Sequence, residues 1–105
     1  MGIVEQVKAL LGITDDLQDD LLEVIKELTE AHFKAYTNQL SVPTALEFII
    51  VEVMVKRFNK IGSEGMSSHG VEGLSMSFDL DDFSSYDKVI HRQFANDFQA
   101  GFKML

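Results

Sequence analysis

Residues 46–58 hold nine apolar side chains in thirteen positions: Leu46, Phe48, Ile49, Ile50, Val51, Val53, Met54, Val55 and Phe58. A helix on the surface of a globular protein needs only one apolar stripe, so a segment apolar nearly all round must be covered on more than one side. Glu47, Glu52, Lys56 and Arg57 interrupt the run, and it falls well short of the ~20 apolar residues of a membrane span. Two arrangements satisfy the pattern. The segment is either the central helix of the chain's own bundle or a helix whose excess apolar surface packs on another subunit.

The chain around it is 105 residues long, 46% hydrophobic and 25% charged, values of an ordinary globular chain and large enough for one modest core. Residues 1–105 read as a single domain. Asp and Glu number 17 against 9 Lys and Arg, a net charge of -8. Lys56, Arg57 and Lys60 form its only basic cluster, too small to hold duplex DNA, whose phosphates are normally met by an extended basic patch. Loose contact with DNA inside an acidic passage stays compatible with this charge. With no cysteine there is no disulfide framework, thiolate nucleophile or Cys-containing zinc site, as suits a reducing compartment. The start Met1-Gly2-Ile3-Val4-Glu5 lacks the basic region of a signal peptide, so a soluble protein made in the cytosol is expected.

Apolar periodicity predicts three helical stretches, a Gly/Ser loop with a short strand, and a last helix. Ile3, Val7, Leu10 and Leu11 repeat with helical spacing, and Gly12 follows where a C-cap glycine belongs. Thr14 is placed to cap a second helix of about 20 residues with Asp15 and Asp16 in its first turn. Its expected seam runs Leu17, Leu21, Val24, Leu28, Ala31, Ala35, widened by Leu22, Ile25 and Tyr36, with Glu30 and Lys34 paired outward. Pro43 stops helical geometry at Val42, and Thr44 with Glu47 fits a capping box for the third helix. Residues 61–73 carry Gly62, Ser63, Gly65, Ser67, Ser68, Gly70 and Gly73 and read as a mobile loop. Leu74, Met76 and Phe78 alternate with polar residues, the period of a short half-buried strand. Such a strand needs a second edge, from its own loop or from a neighbouring copy. Ser84 and Asp87 then open a last helix carrying Val89, Ile90, Phe94, Phe98 and Phe102. The fold class is mainly α: a small bundle of about four helices, with a Gly/Ser loop and a short β-strand or hairpin before the last.

No catalytic constellation emerges. Gly65 and Gly70 have P-loop spacing, but Val71 and Glu72 stand where Lys and Ser or Thr would reach phosphate. Ser63, Ser67 and Ser68 near His69 lack a nucleophile elbow. The aspartate groups 15, 16, 19, 20 and 79, 81, 82 lack the ordered ligand spacing of a calcium loop. His32, His69 and His91 are scattered, and His32 fits the edge of a core better than a metal site. The expectation is a non-enzyme without cofactor or metal.

Four runs resemble a known family: Pro43-Thr44-Ala45-Leu46-Glu47, residues 49–60, the stretch Arg57-Phe58-Asn59-Lys60 with Gly62, Glu64, Gly65, Met66, Ser67 and Ser68, and Gly73-Leu74-Ser75-Met76-Ser77-Phe78. Together with an opening Val7-Lys8-Ala9-Leu10-Leu11-Gly12-Ile13-Thr14-Asp15-Asp16, they are similar to the head-tail connector (adaptor, or head-completion) proteins of long-tailed bacteriophages and prophages. The likeness covers residues 3–90, and the stretch from Arg57 is its most specific part. It implies a structural virion protein of the head-tail interface, made in the host bacterial cytoplasm. Such a protein forms a ring of about twelve copies under the portal, joined to a tail-side stopper or head-completion protein, with DNA passing and no membrane contact. On this reading Phe48, Val51, Val55, Arg57, Glu64, Met66, Leu74, Met76 and Phe78 are subunit or partner contacts. The phenylalanines Phe94, Phe98 and Phe102 depart from the family, where a more basic tail is common. The alternatives are a small helical interaction or regulatory module encoded by a prophage, dimerising through the third helix, and an enzyme whose site is completed between subunits.

Overall fold

A computed structural model describes residues 2–63 and 79–103. Its elements are α1 (Ile3–Leu11), α2 (Asp19–Thr37), a 3-10 turn (Thr44–Leu46), α3 (Glu47–Ser63), a 3-10 segment (Leu80–Tyr86) and α4 (Asp87–Lys103). The chain is thus mainly helical with four helices, and no strand occurs among the described residues. The expected strand at Leu74, Met76 and Phe78 lies outside them, as does the expected loop beyond Ser63. Ile61 is a buried residue of α3, so the helix continues past the loop boundary expected from glycine and serine content.

Gly12 ends α1 at φ +75°, the left-handed conformation that only glycine adopts without strain. The Ile13 N–H reaches the Lys8 carbonyl at 2.9 Å and the Gly12 N–H the Ala9 carbonyl at 3.3 Å, closing the helix end. The Lys8 ammonium pairs with Asp19 at 2.7 Å and ties α1 to the start of α2. That start corrects the expected cap: α2 begins at Asp19, and neither Thr14 nor any other side chain caps it. The Asp15 carboxylate instead accepts from the Leu17 N–H at 3.1 Å, a local bond that competes with helix formation.

The seam of α2 is also corrected. The expected Leu22 and Ile25 are buried together with Thr29 and Phe33, and Leu21, Leu28 and Tyr36 are only partly buried against the core, so the buried face lies to one side of the expected line. Leu17, Val24, Ala31 and Ala35 are exposed, Leu17 at 83%. The shift follows from Phe33 and Thr29, which meet α3 and the 3-10 segment where an apolar line through Ala31 and Ala35 would leave voids.

Thr44 does not cap α3 either. It opens the short 3-10 turn after Pro43, with no side-chain cap bond. From there α3 occupies the centre, with α1 and α2 packed on it and residues 80–86 laid against α2 and α3. Ile49, Ile50, Val51, Val53, Met54 and Ile61 are buried with Val7, Leu22, Ile25, Phe33, Phe83 and Ile90. Of the two arrangements open to the apolar third helix, the described fold is the central one, since its own neighbours cover most of the excess. Each fully buried side chain of this size contributes roughly 1.5–3 kcal/mol of burial free energy. Phe48 alone among the large apolar residues of α3 stays substantially exposed, at 41%.

Candidate assembly surface

Fastening of the C-terminal third to the core begins with Arg57. In sequence it belongs to a basic cluster that interrupts the apolar run, yet in the fold it is only 1% exposed. Every nitrogen of its guanidinium has an acceptor. Nε donates to Asp82 Oδ2 at 2.9 Å, Nη1 to Thr29 Oγ1 at 3.2 Å and Nη2 to the Asp79 carbonyl at 3.1 Å. The cation also lies 5.6 Å from the centre of the Phe83 ring. Burial lowers the proton affinity of Arg57 and the hydrogen bond to Asp82 restores part of it. Lys56 adds a second, longer contact to Asp82 at 3.8 Å.

Asp79 supports this junction twice. Its carbonyl is held by Arg57, while its side chain accepts from the Asp81 N–H at 2.9 Å and caps the 3-10 segment. Phe83 then enters the core, edge-on to Phe33 at 5.6 Å and tilted against Tyr36 at 5.7 Å. Next to the junction, His32 keeps its Nδ1 buried without a hydrogen-bond partner. Desolvation and the Arg57 charge hold this imidazole below the usual histidine range, against an opposing pull from Asp82.

On the outside, Phe48 meets Tyr86 edge-on with ring centres 6.2 Å apart. The Tyr86 hydroxyl donates to Glu52 Oε1 at 2.7 Å. Burial, then the Glu52 bond, push its pKa up to about 12. Val89 on α4 is exposed as well, so the start of α3, the end of the 3-10 segment and the start of α4 each carry exposed or half-buried apolar surface. Leu17 in the α1–α2 connection, Val24 on the outer face of α2 and Leu40 at 97% exposure in the α2–α3 connection add further uncovered apolar groups. Sequence periodicity had assigned Leu17 and Val24 to the interior.

Of the expected contact residues, Phe48 is on the surface and Val55 is half-buried. Val51 and Arg57, expected as subunit or partner contacts, are buried in the chain's own core, Arg57 with three acceptors around its guanidinium. Glu64, Met66, Leu74, Met76 and Phe78 lie outside the described residues. The sequence reading placed Tyr36 on the α2 seam, Asp82 in an acidic group and Asp87 at a helix start without assigning them these bonds, and it passed over Thr29, though a polar residue at an inward helical position was a legible signal. Among the described residues no group of three or more His, Cys, Asp or Glu comes together. No described helix is long and apolar enough to cross a membrane.

Residues 1–93 match a family model described as phage gp6-like head-tail connector protein. No curated protein and no solved structure matches the chain.

Proposed function

Because the chain belongs to the phage gp6-like head-tail connector family, we propose that it is a structural component of the bacteriophage virion that assembles as a closed ring between the portal and a tail-side stopper or head-completion protein. The observation that carries this is the family match, which takes in all of α1, α2, α3 and the 3-10 segment before α4. The match also bears on catalysis, because a head-tail connector is a structural part and not an enzyme.

Two features support the ring. Phe48 and Tyr86 offer an aromatic surface, the residue types that anchor interfaces, and Val89, three residues on from Tyr86, is exposed. The same reading assigns further contacts to Val55 of α3, which is half-buried, and to Glu64, Met66, Leu74, Met76 and Phe78. A net charge of -8 gives a passage that repels phosphate, so DNA slides through it without sequence-specific binding.

Purified virions test the role. Mass spectrometry of particles should find the protein in a fixed ratio to the portal, and particles made without it should carry DNA-filled heads lacking tails. Its absence from washed virions would favour the alternative, a helical regulatory module.

A further inference from the structure

The α2–α4 junction holds a cleft of about 320 Å³ lined by Tyr36, Thr37, Asp87, Ile90, His91 and Phe94. Tyr36 donates its phenolic proton to Asp87 Oδ1, and that bond, ahead of burial, raises the phenol's pKa to about 12. The phenol, and the start of α4 where Asp87 is the first residue and the helix dipole favours a carboxylate, each offset part of the cost of half-burying it. No cation completes the offset: the ion pairs among the described residues are Lys8–Asp19, Lys56–Asp82 and Arg57–Asp82. Lys88 and Arg92, both exposed on the same helix, do not reach Asp87. The cleft also adjoins Thr37, the last residue of α2, where the helix dipole is negative.

The cleft thus joins a full carboxylate charge to two partial and opposed ones, the end of α2 and the start of α4, and its remaining walls include Ile90, Phe94 and the Tyr36 ring. That combination suits a side chain with an apolar stem and a planar, stacking cation. We propose that the cleft receives an arginine side chain from a basic segment of a neighbouring head-tail protein, its guanidinium on Asp87 and its stem on Ile90 and Phe94. A second copy of this chain is a poor donor. The sequence holds two arginines, of which Arg57 is buried and Arg92 stands five residues from Asp87 on the same helix, and two copies at -8 each repel. The identity of the donor as a head-tail protein rests on the connector reading; the chemistry of the cleft does not.

Titration of the isotope-labelled chain with the peptides acetyl-Gly-Arg-Gly-amide, acetyl-Gly-Lys-Gly-amide and acetyl-Gly-Leu-Gly-amide, followed by amide NMR, tests this apart from any virion experiment. The arginine peptide should give saturable shifts at Thr37, Asp87 and His91, tighter than the lysine peptide, and the leucine peptide none. Asp87→Asn should weaken binding about tenfold, as loss of a charge-assisted hydrogen bond does. Tyr36→Phe should keep or tighten binding, because it frees a carboxylate oxygen. If Asp87 serves only to hold α4 to α2, the two variants should instead lose thermal stability alike and neither should alter peptide shifts. Equal shifts from the leucine peptide, no saturable shifts, or cleft amides that move with protein concentration alone would each overturn the proposal, the last by making a second copy the occupant.

Discussion

Arg57 and Asp82 meet at 2.9 Å although twenty-five residues of chain separate them. The arginine is almost wholly enclosed and the aspartate sits at the rim, with side-chain exposures of 1% and 19%. Burying a guanidinium is costly, and it persists where each donor finds an acceptor. Here Asp82, Thr29 and the Asp79 carbonyl meet that condition, so the charge locks residues 79–86 to α2 and α3 at one register.

Breaking this junction from one side should be severe. Arg57→Met leaves Asp82 only its longer contact to Lys56 and Thr29 and the Asp79 carbonyl without their donor, and should cost about 3 kcal/mol in chemical denaturation. The double variant Arg57→Met with Asp82→Leu should recover much of that loss, because no charge is then left behind. An Arg57→Met protein as stable as the parent would show that the junction contributes nothing.

Alkaline titration reads the two tyrosines directly, since the sequence contains only Tyr36 and Tyr86. Both folded-state values are raised from 10.0 to about 12. Their contribution to stability is complete below pH 10 and is lost as pH rises from 10 through 12. Tyrosinate absorbance should appear near pH 12 in the folded chain and near 10 in denaturant. A native phenol ionising near 10 would mean that its bond to Asp87 or Glu52 is not made.

His32 governs the acid side. Its folded pKa is lowered from 6.5, first by burial and then by Arg57 of α3, with Asp82 of the 3-10 segment opposing. Above pH 6.5 the imidazole is neutral in both states. As pH falls below that value the unfolded chain takes up the proton first and stability declines. Denaturation curves should show this decline in the parent and a flatter dependence in His32→Gln over the same range; identical slopes would remove His32 from the account.

Phe48 separates folding from assembly. Its ring is partly in water and touches Tyr86, so Phe48→Ser should change stability by only about 1 kcal/mol. Incorporation into virions should nevertheless drop sharply. A variant that incorporates normally would show that this aromatic surface is not a contact.

Much of the architecture was legible in the sequence because it rests on local chemistry. Gly12 marked the end of α1, Pro43 the break before α3, and the apolar run of residues 46–58 a helix needing cover on several sides. What local pattern could not supply was which cover. That depended on where α2 turns its face, and the choice was made by Phe33 and Thr29 meeting partners far along the chain, not by the regular Leu17, Val24, Ala31 line. Arg57 shows the same limit. Its charge argued for the surface, and only the convergence of Thr29, Asp79 and Asp82 makes its burial tolerable. The expected contacts were legible only in part, because exposure is a property of the packed fold: Phe48 remained outside while Val51, three residues on, did not.

The central claim is that this chain closes a ring between portal and tail-side protein. Electron microscopy of the purified chain mixed with purified portal measures it most directly. The account predicts a closed cyclic ring of about a dozen copies seated on the portal, the closed symmetry expected of head-to-tail contacts, with α3 central in each subunit and the Phe48–Tyr86 surface at or near a contact. Portals decorated by scattered single copies, or left bare, would contradict it.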